Sequence, residues 1–434
     1  MNYYSLNRIS PLANFRQATL NGQAPDKGLY YPEKIPSWDK QFISNLRKLD
    51  KTSIGFEIMK PYVGSCISED QLYNIIEDTL AFDFPLKKIN DRIHCLELFH
   101  GPTLAFKDLG ARFLSRCMGK FSQDQDEKIV VLVATSGDTG GAVADAFYKV
   151  PGTEVVILYP SGKVSPVQEK QLTALGDNIH ALEIQGDFDD CQRLVKMAFA
   201  DKEMHTGCLL TSSNSINISR WLSQQIYYVL ALSQWHEEVD PVFAVPSGNF
   251  GNICAGLVAQ RSGMPAKHFI AACNRNKAFT DYLESGEYHA RPSVQTISNA
   301  MDVGDPSNFV RIVELFDGDY TNIKNHISSM SVSDEETALA IKNAYAQYNY
   351  IMDPHTAIAY KTMQDRLEKN NEEKGIILGT AHPVKFPTVV EEIIQQDIPI
   401  PAALEEIMKK PKKALLLPAD YNQVKASIKQ IITA

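Results

Sequence analysis

Beyond residue 93, short apolar runs alternate with amphipathic stretches over most of the chain. Residues 129–134 (IVVLVA), 154–159 (EVVILY) and 180–184 (HALEI) read as strands, since unbroken apolar runs suit a strand covered on both faces. Each leads into a stretch with helical spacing, at 141–148, 167–175 and 189–200. The unit recurs at 242–245 followed by 252–261, and 268–273 and 375–378 supply further strands. This repeating order predicts an α/β protein with mostly parallel sheets and helices on both faces. Ligands on such sheets bind at the carboxyl ends of strands.

Residues 1–92 differ. Gly22, Pro25, Gly28, Pro32, Pro36, Pro61, Gly64 and Pro85 punctuate them, and helical patterning is confined to 42–49 and 71–81. That predicts an accessory N-terminal domain. After Asp397, Pro399, Pro401, Pro411 and Pro418 predict an extended wrap with short helices.

With 44% apolar and 22% charged residues the chain can bury a sizeable core. A net charge of −9 without a long basic stretch argues against nucleic acid as a partner. The first residues carry no apolar signal core, and no apolar run reaches the ~18 residues of a membrane helix. Seven scattered cysteines without a Cys-x-x-Cys pair fit free thiols in a reducing compartment. The expectation is a cytoplasmic protein that binds no metal and no membrane. His-Glu-x-x-His, Gly-x-Ser-x-Gly and the Walker phosphate loop are absent, which disfavours zinc, serine-esterase and nucleotide hydrolysis.

The candidate chemistry begins at Lys107, in the segment 98–108 (LFHGPTLAFKD). Its apolar approach (Leu104, Ala105, Phe106) can desolvate the ammonium and lower its pKa, as a Schiff-base lysine requires. Two glycine loops, 135–140 (TSGDTG) and 247–251 (SGNFG), each follow a strand and open a helix. Such loops either cradle an anion on backbone N–H groups or serve as capped tight turns. Asp138 would repel a phosphate in the first loop unless its carboxylate points away.

Lys163 lies beyond a strand end, where it can meet an anion. Segment 212–220 gathers Asn217, several hydroxyls and Arg220, as caps or as an anion fork. Arg112 reads equally as surface charge. His355 and His382 are either general bases or turn histidines satisfied locally. Thr380, at the end of a strand, offers a neutral hydroxyl to a ring nitrogen.

Taken in order, 98–108, 134–140 (ATSGDTG), 159–166 (YPSGKVSP), 214–220 (NSINISR), 245–251 (VPSGNFG), 298–303 (SNAMDV), 353–357 (DPHTA) and 378–386 (LGTAHPVKF) resemble threonine synthases of the longer form, as does the turn at 28–32 (GLYYP). The resemblance implies pyridoxal-phosphate fold type II, akin to the tryptophan synthase β chain: two mostly parallel twisted sheets plus an N-terminal domain. The implied domains are 1–92 (accessory), 93–130 with 236–434 (large, cofactor-binding) and 131–235 (small α/β). Lys107 would carry pyridoxal 5′-phosphate as its Schiff base, Gly248, Asn249, Phe250 and Gly251 would hold the cofactor phosphate, and Thr380 would face the pyridine nitrogen.

The implied reaction turns O-phospho-L-homoserine and water into L-threonine and phosphate, with Ser136, Thr139, Lys163, Asn217 and Arg220 expected around the substrate phosphate. Many enzymes of the wider fold carry Asn where this chain has Asp138, which opens the question of what faces the cofactor's 3′ oxygen. The expected assembly is a monomer or homodimer. A phospholyase or hydroxy-amino-acid dehydratase would use the same inventory but release a keto acid. A nucleotide-binding Rossmann-like protein would require a Gly-x-Gly-x-x-Gly fingerprint, which the chain lacks.

Overall fold

The structure, a computed structural model, describes residues 1–123 and 127–433. Its strands are β1 (Asn2–Ser5), β2 (Ala13–Asn14), β3 (Tyr30–Pro32), β4 (Leu86–Lys88), β5 (Ile93–Glu97), β6 (Lys128–Ala134), β7 (Thr153–Pro160), β8 (Ile179–Gln185), β9 (Cys208–Ser212), β10 (Val242–Pro246), β11 (His268–Cys273), β12 (Ile327–Ser331), β13 (Gly375–Gly379) and β14 (Ala414–Pro418). They form three sheets.

The large sheet runs β12-β11-β10-β13-β5-β4 and is parallel except for the edge strand β4. The small sheet, β14-β8-β7-β6-β9, is parallel throughout. Their central strands are apolar on both faces: Ile129 through Val133 and Val242 through Val245 are buried without alternation. Only helices on both sides of a sheet can cover such strands. A three-stranded antiparallel sheet, β2-β1-β3, lies at the N-terminus.

The expected domain limits need three corrections. β6 begins at Lys128, so a boundary after residue 130 cuts one strand of the small sheet. β4, within 1–92, belongs to the large sheet. The tail is not an outer wrap on the large domain. β14 pairs in parallel with β8, from Ala414 opposite Ala181 to Pro418 opposite Gln185, and the following helix Tyr421–Thr433 buries Val424 and Ile428 in the small sheet's core. The cause is the open edge of β8, whose backbone groups gain partners from the apolar run Leu415–Leu417.

The N-terminal segment shares the main core. Phe15 packs its ring 6.4 Å from Phe113 and 6.3 Å from Phe121, both on the helix Lys107–Ser122. A second tie is Arg311, fully buried. Its Nη2 donates to the carbonyls of Tyr30 (3.1 Å) and Ile216 (2.7 Å), and its Nη1 to Ser215 O (3.2 Å) and Asn308 Oδ1 (2.8 Å). The guanidinium also stacks 4.2 Å from the Trp221 ring centroid. Arg311→Met would leave these acceptors buried and without a donor. Urea unfolding is expected to show a loss of about 3 kcal/mol, since each orphaned buried group costs 1–3 kcal/mol.

Candidate active site

Carboxyl ends of strands from both sheets supply the site. β5 leads to the Lys107 turn, β6 to the loop before the helix Asp138–Phe147, β10 to the loop before the helix Gly251–Arg261, and β13 to Thr380. The Lys107 turn is held by an antiparallel bridge between Ala105 and Ala381: Phe106 N donates to Thr380 O at 2.9 Å and His382 N to Leu104 O at 3.0 Å. Leu104 takes a left-handed conformation (φ 59°) to make this turn. Lys107 is thus fixed beside Thr380 by backbone, and the Tyr227 hydroxyl ties down the Phe106 carbonyl.

Asp138 points away from its own loop toward lysines. Its Oδ1 accepts from Lys385 Nζ at 2.8 Å and Gln168 Nε2 at 3.0 Å, while Oδ2 lies 3.5 Å from Lys107 Nζ. Burial works to raise this carboxyl, but Lys385 and Lys107 together hold it well below the usual carboxylate range. Burial likewise lowers the Lys107 ammonium, with Asp138 opposing and Lys385 and Arg220 adding to the depression. The repulsion anticipated from Asp138 is therefore cancelled by Lys385, which the sequence reading had not singled out.

Thr135 Oγ1 accepts from Gly137 N (2.9 Å) and Gly140 N (2.8 Å), which closes the first loop. Among the described residues the Ser136 and Thr139 hydroxyls, flanking Asp138, have no partner, and both remain partly open. Arg220 is 3% exposed, donates from Nη1 to the Ser213 carbonyl, and among the described residues has no carboxylate in ion-pair contact. Burial pulls it down to about 10, so it stays charged at neutral pH. A buried guanidinium without a carboxylate is prepared for an anion.

Lys163 is exposed on the loop after β7 and is not held against these groups. Asn217 is corrected: its amide donates to Thr19 O (2.9 Å) and Ser212 O (3.3 Å), and its oxygen accepts from Ser219 N (3.1 Å). It caps the helix Ile218–Leu222 and has no group left for a ligand.

In the second loop the N–H groups of Gly248, Asn249, Phe250 and Gly251 reach no acceptor among the described residues, and they lie at the N-terminus of an 11-residue helix. The Asn249 side chain is engaged elsewhere, donating to Ser215 Oγ at 2.5 Å and accepting from Ser307 N at 2.6 Å. A Cβ on Gly248 would stand 2.7 Å from Met301 Cα, so only glycine lets the loop pass the 298–303 segment. Thr380, 5% exposed, donates its N–H toward Thr356 Oγ1 at 3.3 Å, and its own hydroxyl has no partner among the described residues. One amine, a backbone anion cradle and a free hydroxyl at a strand end fit pyridoxal phosphate.

The histidines are not free bases. His355 is buried, with Nδ1 on Asp353 at 2.5 Å and Nε2 accepting from Ala300 N at 3.2 Å, and so it anchors the 298–303 segment. His382 accepts from Val384 N at 3.1 Å, and burial lowers it to about 4. Arg112 pairs with Asp78 at 3.0 Å. Among the described residues no group of His, Cys, Asp or Glu could hold a metal ion.

The chain matches the family described as pyridoxal-phosphate dependent enzyme over residues 80–379, threonine synthase N terminus over 2–80, and threonine synthase C-terminal over 356–428. It is 42% identical to a threonine synthase of Serratia marcescens, over 98% of each chain. The crystal structure of threonine synthase from Escherichia coli superposes with a TM-score of 0.92 at 40% identity, covering 99% of this chain and 100% of that one. The chain belongs to the threonine synthase family. Its fold is that of the type II pyridoxal-phosphate enzymes, and its activity that of a pyridoxal-phosphate-dependent lyase of threonine biosynthesis. A PLP-bound threonine synthase from Brucella melitensis is similar over the full length of both chains, with a TM-score of 0.93 and 34% identity.

Gly248→Ala is expected to weaken cofactor binding about 10-fold or more, read by absorbance titration of the apoenzyme, because the added methyl meets backbone and displaces the loop.

Proposed function

We propose that the chain converts O-phospho-L-homoserine and water into L-threonine and inorganic phosphate. The supporting observation is a second place for an anion beside Lys107: the buried Arg220 guanidinium and the unpartnered Ser136 and Thr139 hydroxyls. A substrate phosphate there is separate from the backbone cradle at 248–251, which takes the cofactor's. Pyridoxal phosphate, when bound, supplies the electron sink for the carbon acid.

Lys107 Nζ would hold the cofactor until substrate arrives, and as a free amine takes the proton from the substrate Cα. Loss of a Cβ proton accompanies departure of phosphate from Cγ; Arg220, Ser136 and Thr139 take the charge of the leaving phosphate. A proton delivered to Cγ makes it the methyl carbon and leaves the unsaturation between Cα and Cβ. Water then adds its hydroxyl at Cβ, its other proton going to the released phosphate, and Lys107 returns a proton to Cα. Thr380 would offer the ring nitrogen a hydroxyl that can donate or accept without full ionisation. Lys163, on its exposed loop, attracts the dianionic substrate on approach. The cytoplasmic location belongs to the same reading, supported by seven cysteines that form no disulfide, and a monomer or homodimer is the assembly proposed with it.

The test is holoenzyme incubated with O-phospho-L-homoserine, with phosphate and threonine quantified together. Equimolar products support the reading. Phosphate without threonine makes the chain a phospholyase, and neither product from cofactor-loaded protein removes this substrate.

A further inference from the structure

Lys385 has no part in the reaction above, yet it is completely buried at the end of the turn Pro383–Lys385. Its ammonium donates to the Thr103 carbonyl and to Asp138 Oδ1, each at 2.8 Å. Asp138 is therefore shared unequally, with the second lysine, Lys107, 0.7 Å further off (3.5 Å against 2.8 Å). Gln168 takes the same Oδ1 as Lys385 and fixes that orientation.

The other titratable groups facing this pair are Arg220, Asp108 and His382, the last lowered by burial to about 4. Asp108 is spoken for: Thr103 N donates to its Oδ2 at 2.9 Å and Thr103 Oγ1 to its Oδ1. Two ammonium groups thus meet one carboxylate, while the Arg220 charge adds to the positive surroundings of Lys107. In a simple buried Lys–Asp pair the aspartate would stabilise its lysine as an ammonium, and a protonated Lys107 could neither attack an aldehyde nor accept a proton.

We propose that Lys385 is a positioning residue that sets the charge of Lys107: by claiming Asp138 it leaves Lys107 the surplus cation and keeps its nitrogen a neutral, nucleophilic amine. A second cation beside a reactive lysine is a known means of lowering proton affinity. The downward displacement of Lys107 by burial, reinforced by Lys385 and Arg220, has the same sense. The pair also accounts for an aspartate rather than an amide at 138, since Lys385 supplies the charge that makes a carboxylate tolerable. The inference rests on Lys107 being the lysine that carries the cofactor.

The experiment follows capture of pyridoxal phosphate by apoenzyme as a function of pH, by absorbance, with Lys107→Ala as the blank. No phosphohomoserine is involved. Lys385→Met is expected to move the midpoint upward by about one pH unit or more, because a like charge has been removed. Lys385→Arg, which keeps the charge, should restore it toward wild type. Asp138→Asn should move it downward. An unmoved midpoint in folded Lys385→Met overturns the proposal, and if that variant does not fold, an unmoved or raised midpoint in Asp138→Asn does so. Capture by Lys107→Ala equal to wild type would instead remove the underlying assignment of Lys107.

Discussion

Lys107→Ala is expected to lower kcat by about 10³-fold or more and to leave the protein without covalently held cofactor. The backbone around position 107 fixes the amine rather than the amine fixing the backbone. The Ala105–Ala381 bridge and the hydrogen bonds Phe106 N to Thr380 O and His382 N to Leu104 O survive truncation of the side chain. Asp138 keeps Lys385 as its closer partner, so the substitution orphans no buried carboxylate. Unfolding stability should therefore change little, which separates loss of chemistry from loss of fold. Lys385 cannot stand in, because its nitrogen is held by Asp138 and the Thr103 carbonyl. The decisive readout is borohydride reduction of holoenzyme followed by peptide mass spectrometry. A reduced adduct on wild-type Lys107 and none in the variant is expected; an adduct retained in Lys107→Ala would defeat the assignment.

Arg220→Ala is expected to raise KM for the phosphorylated substrate about 10- to 100-fold, with a smaller fall in kcat. A hydrogen bond to a charged group contributes roughly 1.5–3 kcal/mol, and 1.4 kcal/mol is a factor of ten. The side chain spends one N–H on Ser213 O, and its other N–H groups have no acceptor among the described residues. Arg220→Lys should recover only part of the loss, because a compact ammonium cannot bind phosphate bidentately. Competition by inorganic phosphate should weaken in parallel. An unchanged KM and unchanged phosphate inhibition would place the substrate phosphate elsewhere. Ser136→Ala and Thr139→Ala, each removing one neutral donor, should cost less, about 1 kcal/mol apiece.

Much of this was legible along the chain. The apolar runs at 129–134, 154–159, 242–245 and 268–273 lie within β6, β7, β10 and β11, because a strand buried on both faces must be apolar throughout. The glycine loops fall where strands end and helices begin, since Gly137 takes a positive φ (133°) and Gly248 passes close to the Met301 backbone. The motif around Lys107 and its neighbours identified the family as a whole.

β9 was not legible: Cys208–Ser212 is five residues ending in hydroxyls, and its strand conformation depends on β6 lying alongside. β14 is the same case, since Leu415–Leu417 became a strand only because the edge of β8 was open. Side-chain allegiance was less legible still. Asn217 and Asn249 carry the right groups for a phosphate, yet spend them holding loops together. His355 looks like a base and is an anchor for the 298–303 segment. Lys385 sat inside a recognised motif without any sign that it would meet Asp138.

The sequence by itself determined the succession of elements and the positions of the loops, and it singled out Lys107 as the candidate reactive lysine, because periodicity and backbone chemistry act over a few neighbouring residues. The tertiary structure alone decided which charge answers which. Asp138, Lys107 and Lys385 come from three separate segments, and their ionisation depends on distances and burial that exist only once both sheets have closed around them.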